Sequence, residues 1–297
     1  MGSPKRPLKP NATSCIDVAM TRMTSFSDGT IVPVLGQGTW MIGDDPRTRD
    51  AEQAALSRGL DLGLTLIDTA ELYGDGRAER LVGEVIQGRR EEVFLVSKIR
   101  PENAGEMTMM LHAEKSLERL GVERIDLYLL HWQSRHPLDE IVAGFEELID
   151  EGMIARWGVS NLDIRTMNRL DEVEGGEHCA TNQLLYNPGS RRIEFDLLPW
   201  CQERLMPVMA YSPLGRGDLL NHPALLAVAD RHDATPAQIA LAAVLRHEGV
   251  IAIPKASTVA HVEANAAALE IEPDPEDIEA LDRAFPPPTS SQPLDII

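Results

Sequence analysis

The chain has 297 residues, enough for one large domain or two medium ones, and its 43% apolar and 25% charged residues are those of a globular protein with a sizeable core. No run approaches the ~18 apolar residues of a membrane span, and a net charge of -19 argues against non-specific binding to nucleic acid or anionic lipid. Cys15, Cys179 and Cys201 are widely spaced, with no histidine at zinc-ligand spacing, so they read as free thiols of a reducing, cytoplasmic compartment, and no metal site is expected.

Residues 1–25 carry Lys5, Arg6, Lys9 and Arg22 against Asp17 alone and lack the apolar centre of a secretory signal. They read as a mobile leader to a single domain over residues 26–297. Phe26 to Val34 places Asp28-Gly29 between β-prone arms, a two-residue hairpin signal. From there short apolar segments alternate with longer amphipathic ones. Strands are expected to begin near Leu35, Leu64, Val93, Ile125, Ile154, Cys179, Met206 and Val250, roughly 30 residues apart. Helices are expected over Asp50–Leu60, Ala78–Ile86, Met107–Leu120, Leu138–Ile149 and Pro236–Leu245, where apolar residues recur three or four apart, with a short extra helix over Pro223–Ala229. Eight βα units over about 260 residues predict an α/β fold, a (β/α)8 TIM barrel. The alternative is a doubly wound open sheet. It would show a phosphate loop after its first strand, but Gly36-Gln-Gly38-Thr-Trp continues into Met41 without the third glycine.

A barrel gathers the C-terminal ends of its strands on one rim. In chain order those ends offer Thr39-Trp40, Asp68 with Tyr73 beyond it, Ser97-Lys98, His131-Trp132, Ser160-Asn161, Asn182-Gln183, Tyr211-Ser212 and Pro254-Lys255. A buried Lys98 needs a partner, and Asp68 on the neighbouring strand can supply it. An ammonium beside a phenol would lower the pKa of Tyr73 and fit it to give a proton to a developing alkoxide. His131 on the next strand can donate to the same oxygen. Such an acid needs a hydride donor. Tyr211 offers a face on which a nicotinamide could stack, and Ser160, Asn161 and Gln183 can pair with a carboxamide. The turn Ser212-Pro213-Leu214-Gly215-Arg216-Gly217 could loop over a pyrophosphate, with Arg216 as its charge partner. Lys255, Ser257 and Thr258 form a natural anion site or, more simply, a helix cap.

Taken together, Leu35-Gly-Gln-Gly-Thr-Trp40, Ile67-Asp-Thr-Ala-Glu-Leu-Tyr-Gly74, Leu95-Val-Ser-Lys98, Asp126-Leu-Tyr-Leu-Leu-His-Trp132, Trp157-Gly-Val-Ser-Asn161, Asn182-Gln183, Ala210-Tyr-Ser-Pro-Leu-Gly215 and Ile253-Pro-Lys255 resemble the aldo-keto reductases over nearly the whole chain. The resemblance implies a (β/α)8 barrel whose bottom is closed by an N-terminal β-hairpin. It also implies NADPH-dependent reduction of small aldehydes and ketones, with no nucleic-acid or membrane partner, by a monomer or weak dimer. Tyr73 would be the proton donor, Lys98 and Asp68 its supports, and His131 the group that orients the carbonyl. Gly38, Thr39, Trp40, Ile253, His261 and Asn265 would join the residues above around NADP(H).

Two departures bear on the details. Six residues after Lys255 the family often carries an arginine for the 2'-phosphate, and here stands His261; the acid often found three further on is replaced by Ala264, with Glu263 one short. NADPH stays ahead of NADH on the strength of Lys255, Ser257 and Thr258. After Phe285 come three prolines and nine further residues, which predicts a shallow, open site lined by Trp40, Tyr73, His131 and Trp132. Such a site suits 2-oxoaldehydes, aromatic aldehydes or sugars. The rival readings are a non-catalytic nucleotide-binding regulatory subunit and a Schiff-base aldolase acting through Lys98.

Overall fold

The structure is a computed structural model that describes residues 22–297. The expected leader lies outside the described residues as far as residue 21. Its last residues belong to the fold. β1 (Met23–Ser25) pairs antiparallel with β2 (Ile31–Pro33), Met23 opposite Pro33. The turn falls at Asp28-Gly29, with Gly29 at φ 84°, but it is wider than two residues: Phe26 donates from its amide to Thr30 O, and Gly29 donates to Phe26 O. Phe26 is therefore not an arm residue. It is 2% exposed and stacks on Phe94 with ring centroids 5.3 Å apart.

Beyond the hairpin, strands and helices alternate. β3 (Gln37–Gly38) leads to α1 (Arg49–Asp61), β4 (Leu66–Asp68) to α2 (Arg77–Ile86), β5 (Phe94–Ile99) to α3 (Glu106–Leu120), and β6 (Leu127–Leu130) to α4 (Leu138–Asp150). β7 (Trp157–Ser160) leads to α5 (Ile164–Asp171), and β8 (Asn182–Leu185) to α6 (Leu197–Glu203). β9 (Val208–Tyr211) is followed by both α7 (Pro223–Arg231) and α8 (Pro236–Leu245); β10 (Val250–Ala252) precedes α9 (Val259–Ala267) and α10 (Pro275–Ala284). The strands from β3 to β10 lie in sequence order in one parallel sheet. Parallel bridges Leu35 to Ala252 and Gly38 to Lys255 join its two edges and close the (β/α)8 barrel.

Local signals explain the boundaries. α8 begins on a capping box, Thr235 and Gln238 bonding each other's amides, with Pro236 in its first turn; α3 ends on Gly121 at φ 65°. The sixth barrel strand differs from expectation. It starts at Asn182 rather than ending there, because the residues before it run beside Trp157 without forming a continuous ladder.

Side chains alternate across each strand. Ile67, Leu95, Tyr128 and Val208 face the helices, whereas Leu66, Val96, Leu129, Met209 and Ile251 fill the lumen with Phe26 and Val32 as its plug. Phe94 starts β5, and Arg156, just before β7, donates to Asp28 and Thr30. The hairpin thus closes the N-terminal end of the barrel. One step of two residues above the lumen layer come Asp68, Lys98, His131 and Tyr211. Among the described residues no helix is long and apolar enough to cross a membrane.

Candidate active site

Lys98 is the floor of the site. It is fully buried, and its ammonium donates to Asp68 Oδ2 at 2.7 Å, to Thr69 O at 2.8 Å and to the Tyr73 hydroxyl at 3.3 Å. A buried ammonium is costly unless its donors are met, and here all three are. Burial pulls its pKa down, but the Asp68 carboxylate and the Tyr73 oxygen outweigh burial and raise it, so Lys98 stays charged. The second oxygen of Asp68 accepts from Gln183 Nε2 at 2.7 Å, and the Asp68 carbonyl accepts from the Thr39 hydroxyl at 2.9 Å. Carboxylate, ammonium and phenol from two neighbouring strands therefore share one bonded cluster.

The expected acidity of Tyr73 is not found. Burial pushes its phenol above the ordinary value, and Lys98 opposes this without reversing it. The sequence places the ammonium beside the phenol but says nothing of the water both lose. His131 stands edge-on to Tyr73, centroids 5.7 Å apart, and against Trp132 at 4.9 Å. Burial first, then the cations Lys98 and Arg100, lower its pKa to about 2, so the ring is neutral at any working pH. Its Nδ1 is buried and has no hydrogen-bond partner among the described residues.

Above this floor opens a cavity of about 820 Å³. Of the expected residues it is lined by Gly38, Thr39, Trp40, Asp68, Tyr73, His131, Trp132, Ser160, Asn161, Gln183, Tyr211, Ser212, Pro213, Leu214, Arg216, Ile253 and Lys255. Ser160 donates to Gln183 O at 2.8 Å, and Asn161, held at φ 59°, accepts the Tyr211 hydroxyl at 3.0 Å. Burial raises the Tyr211 phenol to about 12. Arg216 reaches across the mouth to lie 4.5 Å from the Trp40 ring centroid, a cation–π contact. Its backbone is left-handed between Gly215 and Gly217, which share that conformation.

Other expected residues lie outside the cavity. Ser257 takes the ammonium of Lys255 at its rim, and Thr258 caps α9 by accepting from the amide of His261, which is exposed on the first turn. Asn265 is buried against a small cleft beside Gly36 and Leu56. Glu263 is held by Arg58 of α1 at 2.8 Å.

The tail is short, as expected, but it still reaches the rim. The segment after α10 returns across the mouth, and Ile296 and Ile297 line the cavity. It is anchored by Asp295, which accepts from Ser190 at 2.7 Å and pairs with Arg192 at 3.1 Å. Met41, Gly217 and Leu220 also line the cavity, as do Leu72 and Pro254, which lie within the motifs but had no role assigned there. Leu72 had a signal, an apolar residue between Glu71 and Tyr73; the path of a tail that crosses the barrel has none.

Comparison with known proteins decides the family. The model of the Aldo/keto reductase family matches residues 34–285, and the chain is 51% identical over 281 residues to methylglyoxal reductase YeaE of Escherichia coli (strain K12), covering 93% of this chain and 99% of that one. The chain belongs to the aldo-keto reductase family. The aldo-keto reductase of Klebsiella pneumoniae crystallised with NADP and acetate is 48% identical, with a TM-score of 0.91 over 93% of this chain and 100% of that chain. A more distant relative, glyoxal reductase of Bacillus subtilis (strain 168), is 31% identical over 86% of this chain and 90% of its own. This aldo-keto reductase is therefore an oxidoreductase enzyme with the barrel of its family.

Proposed function

We propose that the protein reduces small aldehydes and 2-oxoaldehydes to alcohols with NADPH, Tyr73 serving as proton donor. The observation that carries this reading is the charged Lys98 under the cavity, bonded to Asp68 and 3.3 Å from the Tyr73 hydroxyl. Two relatives named for the reduction of methylglyoxal and of glyoxal support the substrate class.

The residues present fit a nicotinamide dinucleotide. The cavity, about 820 Å³, is at the upper end of ligand sites and leaves room for a substrate beside the cofactor. Ser160, Asn161 and Gln183 match a carboxamide, and Tyr211 offers the ring a flat face. Ser212 to Gly215 and Arg216 would cover the pyrophosphate. Lys255 and Ser257 would take the 2'-phosphate, with Thr258, His261 and Asn265 around the adenosine. This cationic end favours NADPH over NADH. When bound, the cofactor supplies the hydride.

The chain's own residues handle the proton. As negative charge grows on the substrate oxygen, Tyr73 passes it the phenolic proton, and Lys98 stabilises the oxygen left behind. A phenol raised above its usual pKa carries its proton at neutral pH and so has it to give. His131 donates from Nε2, since a proton on Nδ1 would be a buried donor without an acceptor. Trp40, Leu72 and Trp132 give the cavity an apolar wall beside Tyr73 and His131. The Schiff-base reading of Lys98 is disfavoured, because an ammonium with three bonds made and a raised pKa is not a free amine.

The test is Tyr73→Phe, followed by nicotinamide absorbance with methylglyoxal, glyceraldehyde, nitrobenzaldehyde and a keto-sugar, using NADPH and NADH side by side. Turnover should fall by a factor on the order of 10²–10⁴, while NADPH still quenches protein fluorescence with wild-type affinity. A Tyr73→Phe enzyme that keeps most of its rate rules out this donor.

A further inference from the structure

The loop from Asp68 to Tyr73 carries a second carboxylate, Glu71. Its side chain is 5% exposed and does not line the cavity. Glu71 Oε1 accepts from the Arg100 amide at 2.7 Å and from Asn103 Nδ2 at 3.0 Å, and Oε2 lies 2.7 Å from His112 Nδ1. The Glu71 amide donates to Lys98 O at 3.3 Å. On the far side of Tyr73, Asp75 accepts from Arg100 Nη2 at 3.0 Å. The tyrosine is thus tied on both sides to the segment that leaves the strand of Lys98.

This arrangement has a consequence for chemistry. Tyr73 and Lys98 come from different strands, and the one bond between their side chains is long at 3.3 Å. Its length depends on how the tyrosine loop sits against the end of β5. The loop is turned by its own amides, Tyr73 donating to Ala70 O and Asp75 to Leu72 O, but Asp75 is left-handed at φ 50°, a conformation that in a residue other than glycine persists only where the surroundings enforce it. The surface pair of Asp75 is weak by nature. The buried carboxylate of Glu71, with three donors around it, is the strong tie.

We propose that Glu71 is a positioning residue that clamps the Tyr73 loop to the exit of β5 and so sets the Tyr73 hydroxyl on Lys98. This rests on the reading of Tyr73 as the proton donor. The clamp acts on the transfer step and leaves cofactor binding alone.

The test uses the full-length enzyme with Glu71→Ala and Glu71→Asp, reading kcat, KM, NADPH affinity by fluorescence quenching, thermal melting, and the isotope effect with NADPH deuterated at the transferred position. In Glu71→Ala, kcat should fall by about tenfold to a hundredfold, the scale of an ångström's misplacement. NADPH affinity stays at the wild-type value, and the isotope effect rises as the chemical step becomes slower. Glu71→Asp keeps the charge but is one methylene short of spanning Arg100 and His112. It carries the test should the alanine variant not fold, with kcat down by roughly threefold to tenfold and the same rise in isotope effect. The clamp is overturned if either folded variant keeps kcat within about twofold of wild type, or if lost rate is matched by lost NADPH affinity. Tyr73→Phe separates the two ideas. If it is inactive while both Glu71 variants are fully active, the clamp alone falls; if it is active, the donor falls and the clamp with it.

Discussion

At the scale of single residues, burial decides the protonation states. Lys98 keeps its charge because Asp68, Thr69 and Tyr73 take all three of its donors. Tyr73 keeps its proton because desolvation outweighs the lysine. His131 has neither kind of help; burial and two nearby cations hold its pKa near 2 against an ordinary 6.5. Stability follows from the sign of that shift. Below pH 6.5 the unfolded chain binds a proton at this residue that the folded one does not. The contribution of a neutral His131 is therefore complete above about pH 6.5 and is lost as the pH falls towards 2. Between pH 6.5 and 4.5, wild type should lose up to roughly 1 kcal/mol per pH unit that His131→Asn does not lose. Urea titrations of both proteins at several pH values check this, and parallel pH profiles would show that the imidazole is hydrated in the folded state.

At the scale of elements, two segments of little regular structure shape the site. The first is the Ser212–Gly217 turn, where left-handed Gly215, Arg216 and Gly217 let the guanidinium reach Trp40 across the mouth. The second is the tail, whose Ile296 and Ile297 are 60% and 56% exposed and face the cavity. Exposed apolar side chains beside a cavity are poised to be covered by a ligand. Asp295 anchors them through Ser190 and Arg192. Removing residues 294–297 should raise KM for small aldehydes by the equivalent of about 1–3 kcal/mol of lost apolar contact, with kcat little changed and bulkier aldehydes newly accepted. Steady-state kinetics over an aldehyde series measures it, and an unchanged KM throughout means that the tail is not a wall of the substrate site.

At the scale of the whole molecule, the barrel stands or falls with its seam. Only isolated bridges join the β3 and β10 edges, and Gly38 donates from its amide to Pro254 O at 3.0 Å. A Cβ on Gly38 would meet the carbonyl oxygen of Ile253 at 2.6 Å, backbone that cannot swing aside. Gly38→Ala should therefore push the two edges apart. The cost is about 1–3 kcal/mol by the scale of overpacked cores, together with a loss of activity, since Thr39 and Trp40 follow directly. Guanidinium unfolding reads the first effect and turnover the second; a midpoint equal to wild type would place slack in the seam that the structure does not have.

Much of this was legible in the chain itself. The spacing of apolar strands, the helix caps and the polar groups at strand ends are local properties, and they set the order of elements, the barrel and the rim on which Asp68, Tyr73, Lys98 and His131 meet. A period of two along each strand is enough to carry Leu66 and Asp68, or Val96 and Lys98, into the same lumen. Other features are not local. Phe26 reads locally as a hairpin arm; its stacking within the barrel bottom is not local, because Phe94 arrives from another strand. A neighbouring charge by itself predicts an acidic Tyr73, yet burial, a sum over everything packed around it, has the larger effect. The tail reads from its length as a truncated wall. Only the fold shows it crossing the barrel to Arg192 and ending over the cavity, because the path of an irregular segment is chosen by the surface it finds rather than by its own sequence.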